Sequence, residues 1–590
     1  MKKHIIFGLL AVVGASFSSC NDFLDDNRYP LDEQTNNPAY WTSEINVQSQ
    51  VNQLYTNFTG YGSGGSWVND FYYRSLNDDQ CTQIASGAAM EFARWTYKDV
   101  PSANSVWDAS YVQVRRCNYI INNSNIADKR VNDNLIGQAR LIRAMQYYEL
   151  VRALGDVPLV TTVLDPGDAE VYGERTPRNE VMDLVLEDLD FAIEHITTKS
   201  SKVEFSVDLA NAMKTEICLY EAAYSLYHKD DKARAKKFYG EVVKAANEVI
   251  AAGYTLNADY QSVYIGYTGL DANAPLGSIN NPEIIFLKAY KTGTLGHSTA
   301  AFLSSETKIC GMTKDAFDAY LFKDGKPLAT TSLNKSDKPV VDADGNFDIS
   351  AALEVRDGRL AKTIDSKLAF GTVTFRRTNS NFIQSTTGYT IHKFVNPETP
   401  HQQTTTAGQN STCAPIYWLS WIYCNYLEAR AELGELTDAD VTNYVKPLWD
   451  RAGIDTSNLN KAYLENMADP ANNMGVSSLL WELRRLRRCE LMFDRNQRYW
   501  DLVRWHKLDL LDTASHPNIV LGANVADATD EQLGGYGKVG NYINGAKFGN
   551  TIESRVFTNR EYLQPLGSTI IRLYSDKGLE LEQNPGWEQE

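Results

Sequence analysis

Helical periodicity, recurring in neighbouring stretches, constrains this chain more than any other feature. From Trp107 to Asn122, the residues Trp107, Tyr111, Val114, Asn118 and Ile121 return at the spacing of one helix face. Leu135 to Leu154 repeats the pattern and stops at Gly155-Asp156, before a Val157-Pro158 pair that cannot continue a helix. Glu180 to His195 and Asp208 to Tyr227 form a further pair, followed by Arg234 to Ala252 with Gly253 behind it. Ile416 to Leu433, stopped by Gly434, and Ser477 to Leu511 are helical by the same test. Between about residues 255 and 410 the periodicity breaks up. Gly, Asn, Thr and Ser are frequent there, and Asp342-Ala343-Asp344-Gly345-Asn346 has the Asp-Gly centre of a hairpin turn. The segment from about 512 to 590 is also loop-rich. The expectation is a mainly α chain: a scaffold of helical pairs with long irregular segments and a few short hairpins. Irregular segments of that length usually carry function.

Adjacent antiparallel pairs suggest a solenoid of the tetratricopeptide kind, although no clean repeat of about 34 residues emerges. The start of the chain has a different character. Lys2 and Lys3 precede an apolar run from Ile5 to Ala15, and Ser18-Ser19 stands before Cys20. That is the layout of a secretory signal, and the run is too short to span a bilayer, which needs roughly 20 residues. A cysteine directly after small residues is similar to the bacterial lipobox, with Phe17 where Leu is usual. Residues 1–19 are therefore expected to be a lipoprotein signal, cut before Cys20, with Cys20 lipidated. Each buried methylene contributes about 0.8 kcal/mol, so two or three acyl chains hold a protein firmly. The Pro- and Asn-rich stretch that follows, residues 20–40, reads as an extended tether. No later segment has about 18 consecutive apolar residues, so no transmembrane helix is expected beyond the signal. A formal net charge of −17 repels phosphate backbones, which argues against nucleic acid and anionic lipid headgroups as partners.

Enzyme motifs are largely missing. There is no GxxxxGK[ST], HExxH or GxSxG. Gly60-Tyr61-Gly62-Ser63-Gly64-Gly65 has no apolar strand before it and no Lys after it, so a flexible surface loop is expected rather than a phosphate cradle. His195, His228, His297, His392, His401, His506 and His516 show no HxH or HxxxH spacing. Asp342, Asp344 and Asp348 could meet a cation, but the glycine lies too early for an EF-hand loop. No metal and no cofactor are expected. Besides Cys20 there are seven cysteines, an odd number without a CxxC pair, which reads as core thiols. The 74 acidic residues leave no carboxylate pair singled out for glycoside hydrolysis.

Loop aromatics carry more information. Trp67, Phe71, Tyr72 and Tyr73 follow the glycine-rich loop, with Asn77, Asp78 and Asp79 close behind; Trp95 and Tyr97 come just before the first clear helix. An aromatic face packs on the CH side of a pyranose while Asn and Asp bond its hydroxyls. The candidate ligand residues are therefore Trp67, Tyr72, Tyr73, Asn77, Asp78, Trp95 and Tyr97, joined by Tyr264, Tyr267 and Tyr290 from the 255–320 region. The alternative is that they plug the core of a loop-rich protein. Arg484, Arg485, Arg487, Arg488, Arg495, Arg498 and Arg504 form a basic concentration, with Glu482, Glu490, Asp494 and Asp501 at helix-neighbour spacings, which predicts internal ion pairs.

Four segments in the right order resemble the SusD/RagB family of Bacteroidetes outer-membrane lipoproteins. They are Cys20-Asn21-Asp22-Phe23-Leu24-Asp25, Ala139 to Ala144 running on through Leu150 to Val160, Arg487 to Trp505, and Asn584-Pro585-Gly586-Trp587. Arg356-Asp357-Gly358-Arg359-Leu360 is similar to a weaker family segment. Leu486 stands where a Glu is common, and Asp494-Arg495-Asn496-Gln497 is one residue longer than usual. The resemblance implies a mainly helical fold with four tetratricopeptide-like pairs beneath a loop-rich face. It implies an N-terminal helical region over 41–255 carrying ligand loops, and a SusD/RagB C-terminal region over 256–590. Such proteins bind oligosaccharides and pass them to a SusC-like TonB-dependent transporter, over which they sit as a lid; they are not enzymes. Asp22, Asp25 and Asp26, beside Cys20, resemble the signal that sends such lipoproteins to the outer face of the outer membrane. Peptide cargo, a lipid-anchored glycoside hydrolase and a purely structural gate are the alternatives.

Overall fold

The computed structural model describes residues 36–66, 69–72, 78–82, 100–265, 281–291, 293–304, 310–548, 551–552 and 555–588. Five helices form where the periodicity places them: α1 (Ser105–Asn123), α2 (Lys129–Leu154), α3 (Arg178–His195), α4 (Val207–Lys229) and α5 (Lys232–Ala251). Their starts are set by side-chain caps. Asn104 Oδ1 accepts from the N–H groups of Val106 and Trp107, and Asp128 Oδ1 from that of Arg130. The Asp128 cap starts α2 at Lys129 rather than Leu135, because its first turn is polar and has no apolar period. Gly155, at φ 77°, closes it.

Each helix packs on the next: α1 on α2, α2 on α3, α3 on α4, and α4 on α5. Two later helices extend the series. α6 (Leu419–Glu432) lies on α5, and α7 (Ser478–Glu490) on α6, while α8 (Gln497–Arg504) returns to α4. The scaffold is the expected series of helical pairs. Its core runs from Trp41 and Val47 through α1–α5 to Trp449, Trp500 and Trp505. A second core is built mainly from loops, short strands and short helices, with Tyr61, Phe71, Phe317, Tyr389, Phe394 and Trp418 among its members.

Two helical expectations and one loop expectation are corrected. Ile416 belongs to a buried strand, β8 (Ala414–Trp418), which pairs antiparallel with β2 (Ile284–Lys288) before α6 begins. A short continuous apolar run fits a buried strand as well as a helix. Ser477–Leu511 is two helices, because Phe493, Arg495 and Asn496 adopt positive φ of 67°, 44° and 59° between α7 and α8. The tail beyond residue 512 holds a sheet in which β11 (Tyr542–Phe548) pairs with β9 (Leu521–Asn524), β10 (Tyr536–Val539) and β12 (Thr551–Ile552). The expected hairpin at Asp342 forms between β4 (Val340–Val341) and β5 (Phe347–Asp348), with Asp342 Oδ1 accepting from the N–H groups of Asp344 and Asn346, and β6 (Phe375–Arg376) pairs with β7 (Phe382–Ile383). The seven cysteines after Cys20 are buried thiols.

The arginines of α7 and α8 are paired internally, but mostly with distant carboxylates. Arg504 takes Glu428 bidentately at 2.6 Å for both bonds, Arg484 takes Glu432 at 3.0 Å, and Arg498 takes Asp79 at 2.6 Å. Of the four carboxylates near in sequence, Asp501 holds Arg487 and Arg504, and Glu482 holds Arg485. Glu490 and Asp494 turn instead to Arg359 and Lys393.

Where two turns cross, only glycine fits. Gly371 has φ 53°, and a Cβ there would stand 2.1 Å from the Gln532 carbonyl oxygen. Gly371→Ala is expected to cost more than ~1 kcal/mol, since neither the φ nor the space suits it; a fall in thermal midpoint checks this.

Candidate ligand-binding face

The glycine-rich loop is not a free surface loop. Its first half is buried, because Tyr61 drops into the second core beside Phe71, at 4.6 Å between ring centroids, and its hydroxyl donates to the Tyr264 carbonyl at 2.9 Å. Gly60, at φ 58°, passes so close to β8 that a Cβ would lie 3.0 Å from that of Ala414. Its N–H donates to Asp70 Oδ2 at 2.9 Å. Further along, the Tyr290 hydroxyl donates to the Gly62 carbonyl at 2.7 Å and the Ser298 hydroxyl to that of Gly64 at 2.7 Å. Ser63 to Ser66 are exposed.

Four of the sequence-predicted ligand residues lie among those described, and all four are buried. Tyr264 is 1% exposed; its hydroxyl donates to Asp494 Oδ2 at 2.7 Å and its ring faces Lys393. Tyr290 serves as the staple just described, and Tyr72 stands in the second core. Asp78 makes a turn, its Oδ1 accepting from the N–H groups of Gln80 and Cys81 at 2.7 and 3.0 Å. Burial and the neighbouring Asp79 push its pKa up to about 7. Trp67, Tyr73, Asn77, Trp95, Tyr97 and Tyr267 lie outside the described residues, as do Cys20, Asp22, Asp25 and Asp26.

What the structure does show is the residues on either side of those segments. Ser66 and Asn69 flank one, Tyr72 and Asp78 a second, and Thr82 opens a third. Strand β1 (Cys81–Thr82) pairs with β3 (Gly311–Met312). Asn396 Nδ2 donates to the Ile265 carbonyl, at the start of the segment holding Tyr267. The Gly64 N–H donates to the Gly296 carbonyl, and Gly408 N–H to Ser298 Oγ. Tyr72 and Cys81 belong to the second core and Ile265 packs against it, so these anchors form a loop layer around that core.

Two residues that sequence reasoning passed over hold that layer. Asp79 is buried; burial would raise its pKa, but Arg488 and Arg498 outweigh this and keep its carboxyl below the usual range. Its partners lie hundreds of residues away, so no local spacing signals them. His297 is 1% exposed and ties the loop of Gly296 to the Thr412 carbonyl, two residues before β8. Among the described residues no group of three or more His, Cys, Asp or Glu could hold a metal ion. No described helix is long and apolar enough to cross a membrane.

Scaffold and site together define a class: a helical-repeat protein whose long loops are gathered over a second, loop-built core. The chain belongs to the SusD family, whose model matches residues 282–587. A second model, described as starch-binding associating with outer membrane, matches residues 22–214. SusD-like protein P2 of Formosa agariphila is 24% identical over 353 residues, 57% of this chain and 66% of that protein. SusD-like protein P38 of the same organism is 31% identical over 119 residues, 20% of this chain and 23% of that protein. The chain thus matches less than two thirds of the length of these relatives. Among solved structures, a SusD-like carbohydrate binding protein from Bacteroides fragilis superposes with TM-score 0.66 at 18% identity, covering 90% of this chain and 98% of that one. Surface glycan-binding protein A from Bacteroides fluxus gives 0.58 at 15%, covering 92% and 100%. At such identities the likeness is one of fold.

Proposed function

We propose that this chain is a cell-surface glycan-binding protein, anchored through lipidated Cys20, that captures oligosaccharide and hands it to a SusC-like TonB-dependent transporter. The observation that carries the binding role is that described residues flanking the segments with Trp67, Tyr73, Asn77, Trp95, Tyr97 and Tyr267 lie at the second core, with Phe71, Tyr72 and Cys81 in it and Ile265 packed against it. Aromatic rings and amides, the residue types of those segments, suit stacking on sugar rings and bonding to their hydroxyls. Family membership and the surface glycan-binding neighbour support the same reading. Residues 20–40 act as the tether, and Asp22, Asp25 and Asp26 as the surface address.

Trp67→Ala and Trp95→Ala are each expected to weaken binding of the cognate oligosaccharide by about 1–3 kcal/mol, the scale of losing an anchoring aromatic. Titration calorimetry against a glycan panel reads this; unchanged affinity in both variants rejects the assignment. New reducing ends released by the purified protein would show a hydrolase instead.

A further inference from the structure

Two of the buried thiols stand side by side. β1 pairs antiparallel with β3 so that Cys81 lies opposite Met312 and Thr82 opposite Gly311. Side chains two residues apart on an extended chain share a face, so Cys310 lies on the face of Met312, diagonal to Cys81. The Cys81 and Cys310 thiols are hydrogen-bond partners. Both belong to the second core, Cys81 at 0% exposure and Cys310 at 7%.

Backbone pairing, rather than a chance rotamer, sets this juxtaposition. Beyond one end of the pair, the Thr313 N–H donates to the Gln80 carbonyl at 2.9 Å and the Thr313 hydroxyl to the Asp79 carbonyl at 2.6 Å. The Cys81 N–H donates to Asp78 Oδ1 at 3.0 Å, and the Cys310 carbonyl accepts from the Ser385 hydroxyl at 3.3 Å. A disulfide needs its sulfurs at about 2.05 Å. β1 and β3 have two residues each, so little ladder has to give as the sulfurs close. The residues before Cys20 have the layout of a secretory signal, and outside the cytoplasm thiols meet oxidants.

We propose that Cys81 and Cys310 are a disulfide-forming pair, closed by exchange with a disulfide oxidant outside the cytoplasm, and that the bond staples the loop-built core. Cys310, the less buried sulfur, attacks one sulfur of the oxidant as a thiolate and releases the other half as a thiol. Cys81 then gives its proton to solvent and displaces the second half from Cys310. Two protein thiols are oxidised to one disulfide, and the oxidant's disulfide is reduced to two thiols. Burial and the neighbouring Cys310 thiol push the Cys81 thiol up, so the second step is the slow one and quickens as pH rises. The bond joins positions 229 residues apart (310 − 81), with α1–α5 between them in sequence. Closing so long a loop restricts the unfolded chain strongly. None of this depends on what the loop face binds.

Peptide mapping of the mature chain tests the pair. The folded chain is incubated with glutathione disulfide or with dithiothreitol, blocked with N-ethylmaleimide in urea, digested and read by mass spectrometry. The peptides of Cys81 and Cys310 should be joined after oxidation and separately alkylated after reduction, and dithiothreitol should lower the thermal midpoint of the joined chain. In Cys310→Ala, Cys81 should stay open to alkylation and the midpoint should not respond to dithiothreitol. The joined peptide is read in the unaltered chain, so the test stands even if Cys310→Ala fails to fold. The proposal is overturned if both peptides stay alkylated after oxidation, if Cys81 is joined to another cysteine, if dithiothreitol leaves the midpoint of the joined chain unchanged, or if Cys310→Ala keeps the dithiothreitol response.

Discussion

Replacing Lys393 with alanine is expected to destabilise the protein by about 3–5 kcal/mol, the cost of leaving one partner of a buried ion pair alone. Lys393 and Asp494 are both 0% exposed. The ammonium donates to both Asp494 oxygens at 3.0 and 3.1 Å and to the Met492 carbonyl at 2.7 Å, and lies 3.9 Å from the Tyr264 ring centroid. Burial lowers the lysine to about 8 and raises the aspartate to about 6, so desolvation outweighs the attraction at both ends. Removing the lysine leaves Asp494 with the Tyr264 hydroxyl and no cation. Against a total stability of about 5–15 kcal/mol, that loss brings the fold close to its limit. The effect should depend on pH in a defined direction. A carboxyl whose pKa is higher folded than unfolded contributes stability below its unfolded value, 3.8, that is lost as pH rises through the folded one. Without Lys393 the folded value climbs further, so the penalty should be largest near neutrality and shrink on acidification. Urea midpoints at about pH 7 and about pH 4 measure it. Pairing Lys393→Met with Asp494→Leu should recover most of the loss, since a matched apolar pair needs no charge compensation. If Lys393→Ala melts like the parent, the pair does not hold the loop core.

This ion pair also shows what was legible in the sequence and what was not. Caps and periodicity are local, so Asn104, Asp128 and Gly155 announce α1 and α2 directly. The break between α7 and α8 is not local: Leu491 to Asn496 reads as helix until Lys393, a hundred residues earlier, draws the Met492 carbonyl and the Asp494 carboxylate into the second core. The same holds for the arginines. Their basic run predicts internal pairing, but Glu428, Glu432 and Asp79 are brought to them by the stacking of helices, which no spacing encodes. Among the site residues, Tyr72, Tyr264 and Tyr290 match the composition of a sugar site and of a loop-built core equally well. Only burial separates the two, and burial is a property of the assembled layer. The apolar run through Pro415 and Trp418 likewise fits strand or helix until β2 is beside it.

A drop in stability below pH 6.5 that is smaller in His297→Gln is the second large effect expected. His297 is fully enclosed, with Tyr61 and Tyr290 at 5.0 and 4.6 Å between ring centroids. Its Nε2 stands 2.9 Å from the Thr412 carbonyl oxygen, which only a ring N–H can satisfy, while Nδ1 accepts from the Thr299 N–H at 3.3 Å. One donor and one acceptor are thus fully used, and that is the neutral ring. A proton added at Nδ1 would point at an N–H. Burial, only partly offset by the Thr412 carbonyl, lowers the pKa to about 3 from 6.5. The sign follows. Above pH 6.5 neither state carries the proton; below it the unfolded chain takes one up and the native ring does not, so stability falls as pH falls. At 1.36 kcal/mol per pH unit, the loss reaches about 2 kcal/mol at pH 5 and about 4–5 kcal/mol near pH 3. In His297→Gln the amide keeps a donor toward Thr412 but cannot titrate. That variant should start lower at neutral pH and show a slope between about pH 7 and pH 5 smaller by about 2 kcal/mol in total. His297 exchanges backbone hydrogen bonds with Asn410, so its share of the acid loss acts on the loops of Gly296 and Asn410. Equal slopes for the two proteins would mean that the ring is already charged or already open to water.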